Sequence, residues 1–435
     1  MSGIRMRRRH VRVVTALGVC VATMVAAGCS GGSGASGSAS GSEAFRYLSA
    51  DTNTQIRDVL KIAAGNQCKA ENAAQKLTVT TTPGTTVDQT LQLQAGQNAL
   101  STMTTASGTP SLMKDFIKTG KLVNVTKALG DGSSDILPAA QSVITELYGT
   151  EDSYVMPTEF NIEGVWYNKK IFAEHGIEVP TTWDDFVAAS DRLQKAGVQP
   201  MATDGKDGWT ITRLVSNYLY RTLGVDALKD VSEGKAKLTD DAYVEAAKAV
   251  ADYGKAGYFG KSPSSIDYNT MESLFGTGQA AMMYNGSWTL SNFADENATT
   301  IGKSNIGFFP FPAVAGGKGS IDDTPSNIGI PVMFAQSAYG SNTQAWMKCI
   351  AANYGNIALA NGGVVSGFKV TEVPDDLDPL TKLVQERVAG ISQSVLWFEA
   401  LFSAKQTTTS QQKAAQLATG SVSPEQFMQS VQNAG

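Results

Sequence analysis

Histidine is nearly missing from this sequence: His10 and His175 are the only two in 435 residues. His10 falls in a basic leader, so a Ser-His-Asp arrangement would have to rest on His175. That residue stands in the polar run Glu174-His175-Gly176 after a helical segment and reads as a surface histidine. A phosphate-binding P-loop, a Cys-x-x-Cys pair and a His-Glu-x-x-His helix are missing too. Nothing in the chain calls for a cofactor or a metal, and no catalytic residue is assigned. Two enzyme patterns do occur in the letters. Gly28-Cys29-Ser30-Gly31-Gly32 matches a nucleophile elbow, and Gly32-Ser33-Gly34-Ala35-Ser36-Gly37 matches a dinucleotide fingerprint. Neither has the strand before it and the helix after it that the chemistry requires, so both are discarded. Long apolar runs are lacking as well. The stretch from Val13 to Ala27 is 15 residues, short of the roughly 20 that span a bilayer, and no other segment is apolar enough to cross one.

What is present at the start is an address. Arg5, Arg7, Arg8, Arg9 and Arg12 precede the apolar stretch with no acid among them, and Gly28-Cys29 closes it. A basic head, a short apolar core and small residues at its end read as a secretory signal over residues 1–28. Ala26-Ala27-Gly28-Cys29 resembles the lipoprotein box, in which the cysteine is acylated and becomes the mature N-terminus; Ala26 stands where leucine is commoner. Ser30 to Ser42 holds only Gly, Ser and Ala. Such a run cannot build a core, and as a random coil it reaches on the order of 20 Å. Residues 29–43 thus read as an acylated Cys29 with a tether. Five of the 35 basic residues lie in the leader, which leaves 30 against 40 acids and a net charge of −10. That balance argues against nucleic acid or an anionic membrane surface as partner. Of four cysteines, Cys20 leaves with the signal and Cys29 takes the lipid. Cys68 and Cys349 remain, either as a disulfide, as an exported chain allows, or as two buried thiols.

The residues after Glu43 are too many for one small core and suit two lobes. Short β-like runs alternate with helical patterns, which predicts an α/β fold with largely parallel sheets. Phe45 to Ala50 and Leu77 to Thr82 read as strands, Asn53 to Ala64 and Val87 to Ala95 as helices, and Val165-Trp166-Tyr167 ends a further strand. Thr182 with Asp185 three residues on opens a helix that Gly197 terminates, with Trp183, Phe186, Val187, Ser190 and Leu193 on one face. Tyr243, Ala247 and Val250 repeat that spacing behind Thr239. Pro325-Ser326-Asn327 reads as a turn before a β-run from Ile328 to Phe334, in which Pro331 favours an edge or a crossing segment. Ser423-Pro424-Glu425-Gln426 is a capping box. The acidic doublets Asp184-Asp185, Asp240-Asp241 and Asp322-Asp323 sit at helix starts or in loops.

Four stretches resemble the extracellular sugar-binding proteins of ABC transporters, the family 1 solute-binding proteins that include maltose-binding protein. The first is Tyr154-Val-Met-Pro157, Val165-Trp-Tyr-Asn-Lys169, Gly176-Ile-Glu-Val-Pro180 and Thr182-Trp183. The second runs from Phe275 through Gly278, Ala280-Ala281-Met282 and Asn285-Gly286-Ser287 to Trp288. The third is Ile306-Gly-Phe-Phe-Pro-Phe-Pro312, and the fourth is Ser394 to Ala404 with Leu396-Trp397-Phe398. Together they cover roughly residues 150–435. Gln97-Asn98-Ala99 departs from the family's usual Pro-Asp-Val, so the first lobe's ligand residues are left open.

The resemblance implies a two-lobed periplasmic-binding-protein-like fold of type II. Residues 44–160 with 329–356 would form lobe 1, and 161–328 with 357–435 lobe 2, joined by crossing strands near Phe160 and Ile328. A sugar would bind between the lobes and be handed to membrane permease subunits, with no chemical step by this monomeric chain. The family's cleft tryptophan matches Trp288, at the tip of a turn sequence; Trp397 matches a second stacking position and Trp209 a third. Sugar rings offer C–H patches to aromatic faces and hydroxyls to short polar side chains. Asn161, Glu159 and Asp51 are the matching polar candidates. Trp166 and Trp346 read as core, and Trp183 as helix packing. The alternatives are a metal- or iron-binding transport lipoprotein, which wants His, Tyr and carboxylate clusters, and a lipid-anchored glycoside hydrolase, which needs two opposed carboxylates.

Overall fold

The computed structural model describes residues 44–435 apart from Ser392. The signal, Cys29 and the Gly/Ser/Ala stretch lie outside the described residues. Two sheets organise the chain. The first has the order β2-β1-β3-β10-β4, with β1 Ala44–Ala50, β2 Lys76–Thr82, β3 Met103–Thr105, β4 Val155–Met156 and β10 Val332–Phe334. The second has the order β11-β9-β5-β7-β6, with β8 also on β5. Its strands are β5 Asn161–Asn168, β6 Gln199–Ala202, β7 Ala280–Gly286, β8 Ile306–Phe309, β9 Thr324–Asn327 and β11 Ser394–Val395.

In the first sheet β1 runs parallel to β2 and β3, as strand–helix–strand alternation requires. In the second sheet β6 is parallel to β7 and β11 to β9, but at the remaining pairings the expectation of largely parallel sheets fails. β5 is antiparallel to β7, β8 and β9, and β10 is antiparallel to β3 and β4. The reason is the path of the chain. It leaves the first sheet after β4 and returns along β9 and β10, so outgoing β5 and returning β9 lie side by side in opposite directions, with Asn161 facing Asn327. Pro325-Ser326-Asn327 is therefore strand rather than turn. Of the run Ile328–Phe334 only Val332–Phe334 is strand, and Pro331 lies in the crossing. Where the two crossings touch, Thr158 Oγ donates to the Ile330 carbonyl at 3.2 Å. Gly329 has φ +54°, and its Cα is packed so closely by the Glu159 side chain that a Cβ has no room.

The helices follow the sequence pattern closely. In Thr54–Gly65 the buried residues Ile56, Val59, Leu60 and Ala63 fall on one stripe. Thr182 Oγ accepts from the Asp185 amide and opens Trp183–Lys195, where Phe186, Ser190 and Leu193 are fully buried. Helix Asp241–Lys255 starts one residue later than anticipated, behind Asp240. Ser423 and Gln426 make the expected capping box, and Ser403 with Gln406 makes a second. The 22-residue helix Ser341–Gly362 packs on Thr54–Gly65. Its Trp346 stacks on Phe45 at 4.8 Å and donates to the Gln75 carbonyl at 2.8 Å. This helix is unbroken through residues 356 and 357, so a lobe boundary there would cut one element in two. Past it, Gly367 is hydrogen-bonded to Pro157, and Val365 to Phe160. Farther on, Asp378 bonds Lys303 at 2.7 Å, and Arg387 of helix Pro379–Ala389 covers Phe308 of the second sheet. Of the two states left open for Cys68 and Cys349, the disulfide is formed. It ties the segment after Thr54–Gly65 to helix Ser341–Gly362. Among the described residues no helix is long and apolar enough to cross a membrane.

Candidate functional site

Three tryptophans from three separate segments meet on the second sheet. Trp209 opens helix Trp209–Leu223 and is aimed by the loop before it. There the Asp204 carbonyl accepts from the Asp207 and Gly208 amides, while its carboxylate accepts from Thr210 N at 3.1 Å and Thr210 Oγ at 2.5 Å. Burial pushes the Asp204 carboxyl up to about 7, against the Thr210 hydrogen bonds that favour its charge. Gly208, at φ +82°, lies so close to the Gln411 backbone that only glycine fits. Trp288 sits in the short turn Ser287–Thr289 after β7, its ring laid over Gly286. Its Nε1 donates to Tyr268 Oη at 3.0 Å, and Tyr268 donates in turn to Glu272 at 2.8 Å. Thr289 and Asn285 also bond Glu272, so the turn is fixed by side chains on both flanks. Trp397 follows β11. The Trp209 ring lies 5.9 Å from both Trp288 and Tyr268. These three indoles are partly exposed, whereas Trp166 and Trp346 are fully buried and Trp183 is 8% exposed. Trp166, Trp346 and Trp183 are thus core, as their patterns predict.

Between Trp209 and Trp397 lies a residue that the sequence reading missed. Arg213, one turn after Trp209, places its guanidinium 5.4 Å from the Trp209 ring and 5.6 Å from that of Trp397. Its Nε meets Glu163 at 2.9 Å and its Nη1 meets Glu399 at 2.8 Å; both glutamates are almost wholly buried. Burial works against the charge on Arg213, but the two carboxylates more than offset it and raise its pKa above the usual arginine value. Both carboxylates also accept from neutral donors. Asn327 and Tyr284 donate to Glu163, and Thr212 and Ser410 donate to Glu399. A signal was available: Glu163 is the one acid in the strand Asn161–Asn168, and a charge in a buried strand demands a partner. The Arg213 end of the pair lies some 50 residues away and had no comparable mark.

Beside Trp288 opens a cavity of 430 Å³ lined by Glu159, Asn161 and Ser287, by Gln55 from the first helix, and by Gly363 and Val365 from the segment after Ser341–Gly362. Asn161 accepts from Ser287 Oγ at 3.0 Å and donates to Asn327 at 3.4 Å. Burial raises the pKa of Glu159, with a hydrogen bond from Asn161 acting the other way. Glu159, Asn161 and Trp288 thus share one cavity, and Trp288 joins it to Trp209, with Trp397 beyond Arg213. Asp51 is not brought in. It is exposed and does not line the cavity, and its Oδ1 accepts from the Gly84 amide at 2.9 Å. Gln97 and Asn98, where the resemblance was weakest, are exposed too. Among the described residues, Cys68, Glu71 and Cys349 are the one His/Cys/Asp/Glu group compact enough for a metal ion, and there both sulfurs are in the disulfide.

The model of the bacterial extracellular solute-binding protein family matches residues 53–353, more than half of the chain. The chain belongs to that family. Among relatives of this solute-binding protein, a multiple sugar-binding protein of Streptococcus mutans is 29% identical over 171 residues, 38% of this chain and 40% of that one. The chain aligns with only 34–40% of the length of the first curated relatives. Solved structures match far more of it. A probable secreted solute-binding lipoprotein from Streptomyces coelicolor has a TM-score of 0.75 at 16% identity, over 91% of this chain and 99% of that one. A chitin oligosaccharide binding protein has a TM-score of 0.73 at 24% identity, over 90% and 98%. At such identities these two speak for the two-lobed fold.

Proposed function

We propose that this solute-binding protein is the sugar-capturing subunit of an ABC importer, closing on a sugar or oligosaccharide and passing it unaltered to membrane permease subunits. The observation that carries this reading is a cavity lined by Trp288, Glu159, Asn161 and Ser287, with the Trp209 ring 5.9 Å from Trp288 and Arg213 standing between Trp209 and Trp397. Aromatic faces with short polar neighbours suit sugar rings and their hydroxyls. The names of the Streptococcus mutans relative and of the chitin oligosaccharide binding protein support the same ligand class. Lobe 1 comprises residues 44–160 with the segment from 329 to the end of helix Ser341–Gly362. Lobe 2 comprises 161–328 with the chain from Asp378 onward. Residues between Gly362 and Asp378 act as a third crossing. Binding favours the closed arrangement, a hinge transition.

The chain works as a monomer at the outer face of the cytoplasmic membrane, held by a lipid on Cys29. It carries out no catalysis. Glu163 and Glu399, the buried carboxylates against Arg213, spend their oxygens on that ion pair and on neutral donors. A thermal-shift screen across neutral mono- and oligosaccharides tests the ligand class, since ligand raises the melting temperature by mass action. No shift with any sugar, or a shift with metal ions alone, refutes it, and sugar products after prolonged incubation refute the absence of catalysis. Membrane retention unchanged in Cys29→Ala refutes the anchor.

A further inference from the structure

We infer that Arg213 is the positioning residue of the aromatic site, its guanidinium plane fixing Trp209 and Trp397 in the orientation in which they meet sugar. The inference rests on the reading that these tryptophans bind sugar. Trp209 and Trp397 belong to segments almost 190 residues apart in sequence, and both rings are partly exposed. The group common to both is Arg213, at 5.4 and 5.6 Å. Its edge is committed elsewhere: Nε to Glu163 and Nη1 to Glu399, at 2.9 and 2.8 Å. Edge-on ion pairing leaves the faces of the guanidinium for aromatic rings, a division of labour that arginine's planar fork permits and lysine's point charge does not. The side chain is only 12% exposed, so little of it is left to touch a ligand directly. The two carboxylates themselves are braced from several elements. Glu163 lies on β5 and takes hydrogen bonds from Asn327 of β9 and Tyr284 of β7; Glu399 takes them from Thr212 and Ser410 on two helices. The orientation of Arg213 is therefore fixed by the second sheet and its covering helices, and is passed on to both rings.

The test uses the full chain with all six tryptophans replaced by 5-fluorotryptophan and their fluorine resonances assigned by single Trp→Phe changes. Arg213→Lys keeps a cation for the two carboxylates and removes the plane. In the sugar-free protein the Trp209 and Trp397 lines should shift or broaden, while those of Trp166, Trp183 and Trp346 stay. Unmoved Trp209 and Trp397 lines overturn the inference, as does equal movement of all six. The second readout is affinity for maltotriose, xylotriose and chitotriose. Arg213→Lys should weaken whichever binds by about 3- to 30-fold, and should add little in a Trp209→Ala/Trp397→Ala background. A full additive loss there means that Arg213 itself holds the sugar, which overturns the positioning role. Unchanged affinity in Trp288→Ala and Trp397→Ala refutes the sugar-site reading instead, independently of the fluorine result. Should Arg213→Lys fail to fold, the combination Arg213→Met, Glu163→Gln, Glu399→Gln removes the buried charges together and carries the same two readouts.

Discussion

Replacing Trp288 by alanine separates a binding role from a packing role. The indole is partly exposed, lies over Gly286 and makes one hydrogen bond, Nε1 to Tyr268 Oη at 3.0 Å. Its removal without ligand costs that hydrogen bond, about 1 kcal/mol, plus a fraction of the burial of one aromatic side chain. The sum is about 1–2 kcal/mol, below the roughly 3–5 kcal/mol of a fully buried Trp→Ala change. Trp166 supplies that comparison in the same sheet, with no exposure and its Nε1 bonded to the Asn285 carbonyl at 3.1 Å. Loss of a stacking face against a sugar ring should weaken binding by about 1–3 kcal/mol, roughly five- to 150-fold. Titration calorimetry with the best sugar from the thermal screen gives the affinity, and urea unfolding of the sugar-free variants gives the stability. Trp288→Phe retains a ring and loses the Nε1 donor, so it should lie between parent and alanine. Trp166→Ala should lose stability with near-parental affinity in its folded fraction. Parental affinity in Trp288→Ala together with a stability loss of the Trp166 size would refute the assignment.

Asp204 gives a pH signature. Its folded pKa of about 7 lies above the ordinary 3.8, so the folded state disfavours the carboxylate. The penalty is absent below about pH 4, grows through the interval up to about pH 7 and is complete above it. Asp204→Asn should gain stability relative to the parent across that interval by on the order of 4 kcal/mol; a pH-independent difference refutes the assignment. Reducing the Cys68–Cys349 disulfide, which closes a loop of 281 residues, should cost about 3–5 kcal/mol in urea unfolding. An unfolding midpoint unaffected by a thiol reductant refutes it. Closure predicts a smaller radius of gyration by X-ray scattering at saturating sugar, and superimposable profiles mean no clamp.

Much of this architecture was legible because its signals are local. Thr182 with Asp185 and Ser423 with Gln426 mark helix starts through one side chain and one amide a turn away, and both form as read. The tryptophans could be sorted because Trp166 stands between Val165 and Tyr167 in a strand pattern while Trp288 follows Asn-Gly-Ser. What escaped was non-local. Pro325 to Asn327 has turn composition, yet it is strand because β5 and β11 lie on either side of it. Asp51 follows a strand as the family's polar contact does, yet it lies outside the cavity beside Trp288 and its carboxylate accepts from the Gly84 amide. Arg213 sits in a helix whose pattern looks complete without it, and its importance appears only when Glu163 and Glu399, from segments far apart in the chain, arrive beside it.

The order β2-β1-β3-β10-β4 has a consequence for biogenesis. β4 is spelled out by residue 156, but its partner β10 is not made until residue 334, after the whole of β5 to β9. A chain delivered from its N-terminus therefore cannot finish its first sheet early. It must keep Val155 and Met156 unpaired while the second sheet is still being supplied, and Cys68 must wait for Cys349. The earlier-made sheet is completed by a later segment, so the two lobes mature together and neither has a finished core to offer as a separate fragment.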